Sequence, residues 1–271
     1  MTTHIEDNSP GNVPVRTALL LAAGTGSRLR PLTRDAPKCL TEIGGVPILE
    51  QQVRCLEHWG FERLVIVLGH LENCIREFLH RRTSSLQIDY IVNPRYRTTN
   101  NIYSLWLARE FVREPMLLIE SDLFFDAPLL GPMVHADSIA VSTIRPWMTG
   151  STVELDERRR VVAMHVGGDA QRGKSSLKTV NIYSLSESAW RNVRERLDRH
   201  ITAGNVGDYY EIVFSELIAE GTLSLRPVLF DPDRWYEIDT PSDLAAAERM
   251  FSRPVKGLPP RKERYSAGPR P

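Results

Sequence analysis

Short apolar runs alternate with amphipathic segments along most of the chain. Thr17–Ala23 (TALLLAA) is an unbroken apolar run, the pattern of a strand buried on both faces. A polar loop rich in Gly and Arg follows. Pro47 opens a helix that Gly60 closes, with Leu49, Val53 and Leu56 on one face. Arg63–Leu68 reads as a second buried strand, Leu71–His80 as a helix and Leu86–Val92 as a third strand. Asn101–Val112 reads as a helix. Met116–Glu120 reads as a fourth strand, ending in Ser121-Asp122 at a sheet edge. This alternation predicts an α/β fold, a mostly parallel mixed sheet flanked by helices with right-handed crossovers. In such sheets ligands bind beyond the carboxyl ends of the strands. The Gly24 loop, Asn93 and Asp122 all follow strand ends, so one cleft is expected to hold them together.

The second half is less regular. Ala140–Ile144, Val161–Val166 and Thr179–Leu185 suggest strands. Trp190, Val193, Leu197 and Ile201 mark one helix face, and Tyr210–Glu220 reads as another helix. Thr240-Pro241-Ser242-Asp243 is a helix start, with a Thr cap, Pro at the first helical position and an acid at the third. Residues 1–14 and 252–271 are polar or rich in Pro and basic groups and are expected to be disordered tails. A single domain is expected over 15–251.

Composition narrows the partners. The formal net charge is zero, which gives no reason to expect nucleic acid or an anionic membrane. No run of about 18 apolar residues occurs, so no membrane span is expected. The N-terminus lacks the basic and apolar regions of a signal peptide. Cys39, Cys55 and Cys74 form no CxxC pair, and a reducing cytoplasm is the simplest expectation. The seven histidines show no metal-ligand spacing.

The loop after the first strand carries the chemistry. It reads LAAGTGSRLRPLTRDAPK from Leu21 to Lys38. Glycines let a backbone approach phosphates closely and point N–H groups at them. The loop has no GK[ST], so it is not a Walker A loop. Leu29 stands where a dinucleotide fingerprint needs Gly. Arg28, Arg30, Arg34 and Lys38 fall within eleven residues, and Pro31 and Pro37 stiffen the backbone between them. A stiff cationic loop suits a triphosphate, whose charge must be neutralised before another anion can attack it. Leu21, Ala22, Ala23, Gly24, Thr25, Gly26 and Ser27 are therefore candidates to hold a nucleotide, and Arg28 and Lys38 to assist its reaction.

Gly24, Gly26, Arg28, Pro31, Thr33, Pro37 and Lys38 fill every fixed position of GxGxRxxPxTxxxPK. The stretch resembles the signature of the sugar-nucleotidyltransferase superfamily. NPRYRTTNNIYSL (93–105), KTVNIY (178–183) and WYEIDTPSDL (235–244) are similar to the branch of phosphocholine and phosphonoalkyl cytidylyltransferases. The resemblance implies a Rossmann-like, GT-A-like nucleotidyltransferase fold. It implies an enzyme that moves CMP from CTP to a small phosphate or phosphonate acceptor, with Mg²⁺ as cofactor.

The resemblance also assigns candidate roles. Asp122 and Asp239 match the metal-holding acids, which allows two carboxylate-bound sites. Glu237 is two residues before Asp239, which puts both on one face if they lie in a strand. Glu120 and Asp126 rank behind these acids. Lys178, before the Thr179 strand, matches a lysine that binds the acceptor phosphate. Asn93, Asn100, Asn101 and Ser104 fall at the nucleobase, where amides can donate and accept. Tyr103, Trp106, Trp147, Trp235 and Tyr236 are core residues or parts of an aromatic cage for a quaternary ammonium group, so choline stays open. The acceptor's own anionic oxygen would be the nucleophile, so no protein nucleophile or general base is assigned. A sugar-1-phosphate uridylyl-, thymidylyl- or guanylyltransferase would share the loop. A catalytically silent regulatory subunit should lack the metal acids or the loop lysine, and this chain has both.

Overall fold

The structure is a computed structural model that describes residues 14–167 and 176–252. The two expected tails fall outside it except at residues 14 and 252. A mixed nine-stranded sheet forms the centre. Its parallel part consists of β1 (Thr17–Ala22), β2 (Arg63–Leu68), β3 (Gln87–Val92) and β4 (Met116–Glu120), in the order β4-β1-β2-β3. Every residue of β1 is buried, as its apolar run requires. Alternate side chains enter opposite layers: Ala18, Leu20 and Ala22 join one core, Leu19 and Leu21 the other. The first core takes α1 (Ile48–His58) and α2 (Glu72–His80) through Leu49, Val53, Leu56, Ile75 and Leu79. The second takes α3 (Asn101–Ala108), α4 (Glu187–Thr202) and α5 (Glu211–Ala219), through residues such as Leu105, Trp190 and Phe214.

The sheet continues past β4 with strands that pair antiparallel, except for one parallel pair at its far side. β5 (Leu123–Phe125) leaves the sheet at once. β6 (Ser138–Ser142), β7 (Thr152–Leu155), β8 (Val161–His165), β9 (Ser176–Leu185) and β10 (Arg226–Phe230) complete it. β9 pairs antiparallel with β4, β6 and β7. Its register against β6 shifts between Thr179 and Tyr183, where Asn181 takes the left-handed conformation at φ 59°. β11 (Trp235–Glu237) pairs with β5 in a separate two-stranded ribbon, and α6 (Pro241–Met250) follows it.

Several boundaries differ from the expected ones. α3 ends at Ala108 because the chain tightens there: Phe111 and Val112 both donate to the Ala108 carbonyl. Val112 is still buried, so its apolar character continues the helical pattern into a turn. The strand expected at Ala140–Ile144 begins two residues earlier. β4 is an interior strand between β9 and β1, so Asp122 sits at the carboxyl-end edge rather than beside an outer strand. β9 starts at Ser176 and places Lys178 inside a strand, not before it. β11 ends at Glu237, which leaves Asp239 in the turn that caps α6. No helix among the described residues is long and apolar enough to cross a membrane.

Candidate active site

The Gly24 loop, the end of β3 and the turn after β4 meet beyond the carboxyl ends of the parallel strands, as expected. They enclose a cleft of about 270 Å³. Gly26 shapes the loop. It holds φ at 59°, and a Cβ there would lie 3.1 Å from both Lys38 Cβ and Thr33 Cγ2. The buried Thr33 hydroxyl donates to the Gly26 carbonyl at 2.8 Å, pinning the far side of the loop. Lys38 opens a short 3₁₀ turn, Lys38–Leu40, so its side chain leaves a fixed backbone.

Lys38 Nζ donates to Asp122 Oδ2 at 2.8 Å and to Asp239 Oδ1 at 2.6 Å. Arg28 Nη2 reaches the same Asp239 oxygen at 2.8 Å from a mostly exposed position. Burial alone would lower the Lys38 pKa, but attraction to Asp122 and Asp239 outweighs it and raises the value above the usual lysine range. The ammonium is therefore charged and bridges the two carboxylates, and Arg28 adds a second positive charge at Asp239. Asp122 is held by its surroundings. Gln52 Nε2 donates to the carbonyls of Glu120 and Leu123, both at 2.9 Å, and Gln51 Nε2 donates to the Phe125 carbonyl at 2.8 Å. Asp239 is brought in by β11: the Ile238 N–H donates to the Asp122 carbonyl at 3.0 Å. A full capping box between Thr240 and Asp243 then fixes the turn, and Asp243 Oδ2 also accepts from the Asp239 N–H.

Glu237 does not join this pair. It faces Lys178 at 3.6 Å across a second, smaller cavity of about 50 Å³. Asp239 lines both cavities. Lys178 is 2% exposed, donates to the Thr179 carbonyl at 2.6 Å and lines the second cavity, not the first. Trp147, Trp235 and Tyr236 line it too. Tyr103 and Trp106 stack on each other, with the Arg95 guanidinium over the Tyr103 ring and the Arg109 guanidinium over the Trp106 ring. They take no part in either cavity.

The loop candidates Leu21, Ala23, Gly24, Gly26 and Ser27 line the larger cleft, whereas Ala22 and Thr25 do not. Asn93, Asn100, Asn101 and Ser104 line it as well, but the three amides are engaged within the protein. Asn93 accepts from the Arg95 N–H at 2.8 Å and donates to Ser104 Oγ at 3.1 Å. Asn100 caps α3 by accepting from the Asn101 N–H, and donates to the Gly207 carbonyl. Asn101 donates to Glu120 Oε1 at 3.2 Å and accepts from the Tyr210 N–H at 3.0 Å. Glu120 lines the cleft, where burial, then repulsion by Asp122 and Glu211, push its pKa well up. Asp126 is buried and paired with Arg234 at 2.8 Å, which ties β5 to the approach of β11.

Tyr96, Thr99, Ser121 and Tyr209 also line the cleft without a signal in the sequence. Tyr96 and Thr99 stand inside the 93–105 segment, whose pattern does not single them out. Tyr209 arrives from the far end of the α4–α5 connection, where Asn100 N donates to the Val206 carbonyl, and nothing local marks it. Among the described residues no three or more His, Cys, Asp or Glu side chains gather around one point.

Residues 17–145 match the family described as Nucleotidyl transferase. Over 257 residues the chain is 35% identical to the CMP-5'-(3-aminopropyl)phosphonate synthase of Streptomyces rubellomurinus, covering 91% of this chain and 40% of that one. It is 27% identical to the 2-aminoethylphosphonate cytidylyltransferase of Lancefieldella rimae, covering 89% of this chain and 95% of the relative. The chain thus spans less than half of the first relative and nearly all of the second. The solved CTP:phosphocholine cytidylyltransferase of Streptococcus pneumoniae superposes with a TM-score of 0.76 at 20% identity, covering 88% of this chain and 99% of that one. The fold is the Rossmann-like nucleotidyltransferase fold.

Proposed function

We propose that this chain, with the nucleotidyltransferase fold and the family's sequence over residues 17–145, transfers CMP from CTP to a small phosphonate or phosphate acceptor and releases pyrophosphate. Residues 15–251 are the proposed catalytic domain, and the cytoplasm its proposed location. The observation that carries the reading is Asp239, which forms a wall of two adjacent cavities and is held by the loop lysine. One cavity is bounded by the glycine loop and suits a nucleoside triphosphate. The other contains a buried ammonium group and suits an acceptor anion. The relatives' names favour an aminoalkylphosphonate as that acceptor.

The acceptor oxygen forms a bond to the α-phosphorus as the bond from the α-phosphorus to the bridging oxygen of pyrophosphate breaks. The oxygen is already anionic, so no side chain has to remove a proton. Arg28 and Lys38 neutralise the triphosphate, and Lys178 draws the acceptor's anionic end toward Asp239. Asp122 and Asp239 fit a divalent cation: they are hard oxygen donors from distant segments, and they already converge on one positive centre, the Lys38 ammonium. Asp122 and Asp239 would hold Mg²⁺, which would supply charge neutralisation to the phosphates and the leaving group.

Pyrophosphate release from a panel crossing CTP, UTP, GTP and ATP with 2-aminoethylphosphonate, phosphocholine and glucose-1-phosphate tests the reading. CTP with an aminoalkylphosphonate is expected to be fastest. Faster turnover of UTP with the sugar phosphate would move the chain to the sugar branch, and no release with any pair would overturn the transfer reaction itself.

A further inference from the structure

The engaged amides leave the base-reading group to be found, and their orientation identifies it. Asn93 sits at the carboxyl end of β3 and is 1% exposed. Its Oδ1 must face the Arg95 N–H, which can only donate. Its Nδ2 then faces Ser104 Oγ at 3.1 Å and Thr99 Oγ1 at 3.3 Å. Thr99 gives its own proton to the Arg95 carbonyl at 2.9 Å, so it can only accept from Asn93. A flipped amide would put two donors together at Arg95, whose N–H can only donate, so that contact fixes the orientation. Ser104 Oγ therefore accepts from Asn93. Its proton finds no acceptor among the described residues, although the residue is 4% exposed and lines the cleft.

We propose that Ser104 is the residue that selects cytosine, by donating its hydroxyl proton to the ring N3 of the bound base, with Asn93 as the positioning residue that aims it. The proposal rests on the CMP-transfer reading for the identity of the base. Cytosine N3 is an acceptor and completes the chain from Arg95 through Asn93 and Ser104. Uracil N3 carries a proton. Facing uracil, Ser104 would have to accept instead, leaving its own proton buried without a partner. That mismatch sets the preference at about tenfold or more. O2 is an acceptor in both bases and does not discriminate. Asn100 and Asn101 hold α3 and the Val206–Tyr210 approach in place rather than read the base.

The test is the ratio of the UTP to the CTP dissociation constant, measured by calorimetry without acceptor. Wild-type protein is expected to favour CTP by about tenfold or more. Ser104→Ala removes the donor and should weaken CTP while leaving UTP nearly unchanged. Asn93→Asp keeps the serine but puts an acceptor beside it, which turns its proton away from the base. The two nucleotides carry the same charge, so the added carboxylate cancels from the ratio. A ratio lowered about threefold or more in both variants supports the proposal. A ratio kept within threefold of wild type in either folded variant overturns it, as does a wild-type protein that binds UTP as tightly as CTP. If Ser104→Ala does not fold, Asn93→Asp decides. Selective CTP binding with no pyrophosphate released in any acceptor assay would defeat the transfer reaction and leave the base-reading assignment intact.

Discussion

Lys38 is held by carboxylates 84 and 201 positions away in the chain, and each partner depends on it. Asp122 and Asp239 are both largely shielded, so removing the ammonium leaves two like charges facing each other. Lys38→Ala should therefore lose stability as well as turnover, a stronger effect than a surface loop residue would show. A divalent cation can replace the missing charge. The melting temperature of Lys38→Ala should rise by several degrees with millimolar Mg²⁺, while that of the wild type moves less. Equal responses in a thermal-shift titration would mean that the acids do not bind the ion. Asp122→Asn should lower kcat by about 100-fold or more with the circular dichroism spectrum unchanged, because charge stabilisation in the transition state is lost. Near-normal turnover would remove Asp122 from the site. The loop side of this arrangement was legible in the sequence, since glycine, proline and cation spacing are local. The engagement of the Asn93, Asn100 and Asn101 amides was not: their partners are backbone groups such as Gly207 O and Tyr210 N, whose positions only the fold defines.

Among the elements, the strands read most directly were those buried on both faces. Arg63–Leu68 and Met116–Glu120 match their apolar runs because a parallel central strand has no solvent side to interrupt the pattern. The β5–β11 ribbon was missed as an element because each strand has three residues, too short for any periodicity. Its support comes from Gln51 and Gln52, polar side chains on an α1 face that otherwise reads as a packing surface. The α6 start was legible because its capping box is written in four consecutive residues. Thr240 accepts from the Asp243 N–H, and Asp243 accepts from the Thr240 N–H at 2.7 Å. Thr240→Ala should destabilise the protein by about 1 kcal/mol, a fall of about 2–4 °C in melting temperature for a chain of this size. Its turnover should also fall, though less than that of Asp122→Asn, since the cap fixes Asp239 without touching substrate. Unchanged melting would show that the ribbon alone sets the turn.

For the whole molecule, the second core layer encloses acids that the sequence presents as ordinary. Glu211 opens α5 yet is 6% exposed, and its Oε2 has no hydrogen-bond partner. Burial pushes its pKa up from 4.5 to about 6, against hydrogen bonds from the backbone and Asn101. A raised carboxyl pKa means that the folded state binds its proton more tightly than the unfolded chain does. The associated stability is present below pH 4.5 and is lost as pH rises through about 6. Glu120, also raised, acts in the same direction. Burial raises Glu57, Glu114 and Glu216, but hydrogen bonds from backbone, cationic and hydroxyl partners lower them below the ordinary value, so they weaken the fold only as pH falls below the ordinary carboxylate range. Glu211→Gln should thus gain stability at pH 7.5, on the order of 2 kcal/mol at most, and little at pH 4.5. Denaturant unfolding of both proteins at the two pH values measures this, and an equal gain at both would assign the effect to packing instead of charge.

The ribbon between β5 and β11 also has a consequence in time. Arg234 reaches Asp126 across 108 positions, and Asp239 follows it. A ribosome that has released the first half of the chain has made the glycine loop, β1 to β4 and Asp122, but has not begun the segment that carries the second carboxylate. Such long-range closures form late, since their loop entropy must be overcome before any contact rewards it. The nascent chain therefore completes the glycine loop and the Lys38–Asp122 pair before Asp239 can close the site. In refolding from denaturant, the far-ultraviolet circular dichroism signal should recover ahead of pyrophosphate release, and simultaneous recovery would show that the ribbon docks with the sheet rather than after it.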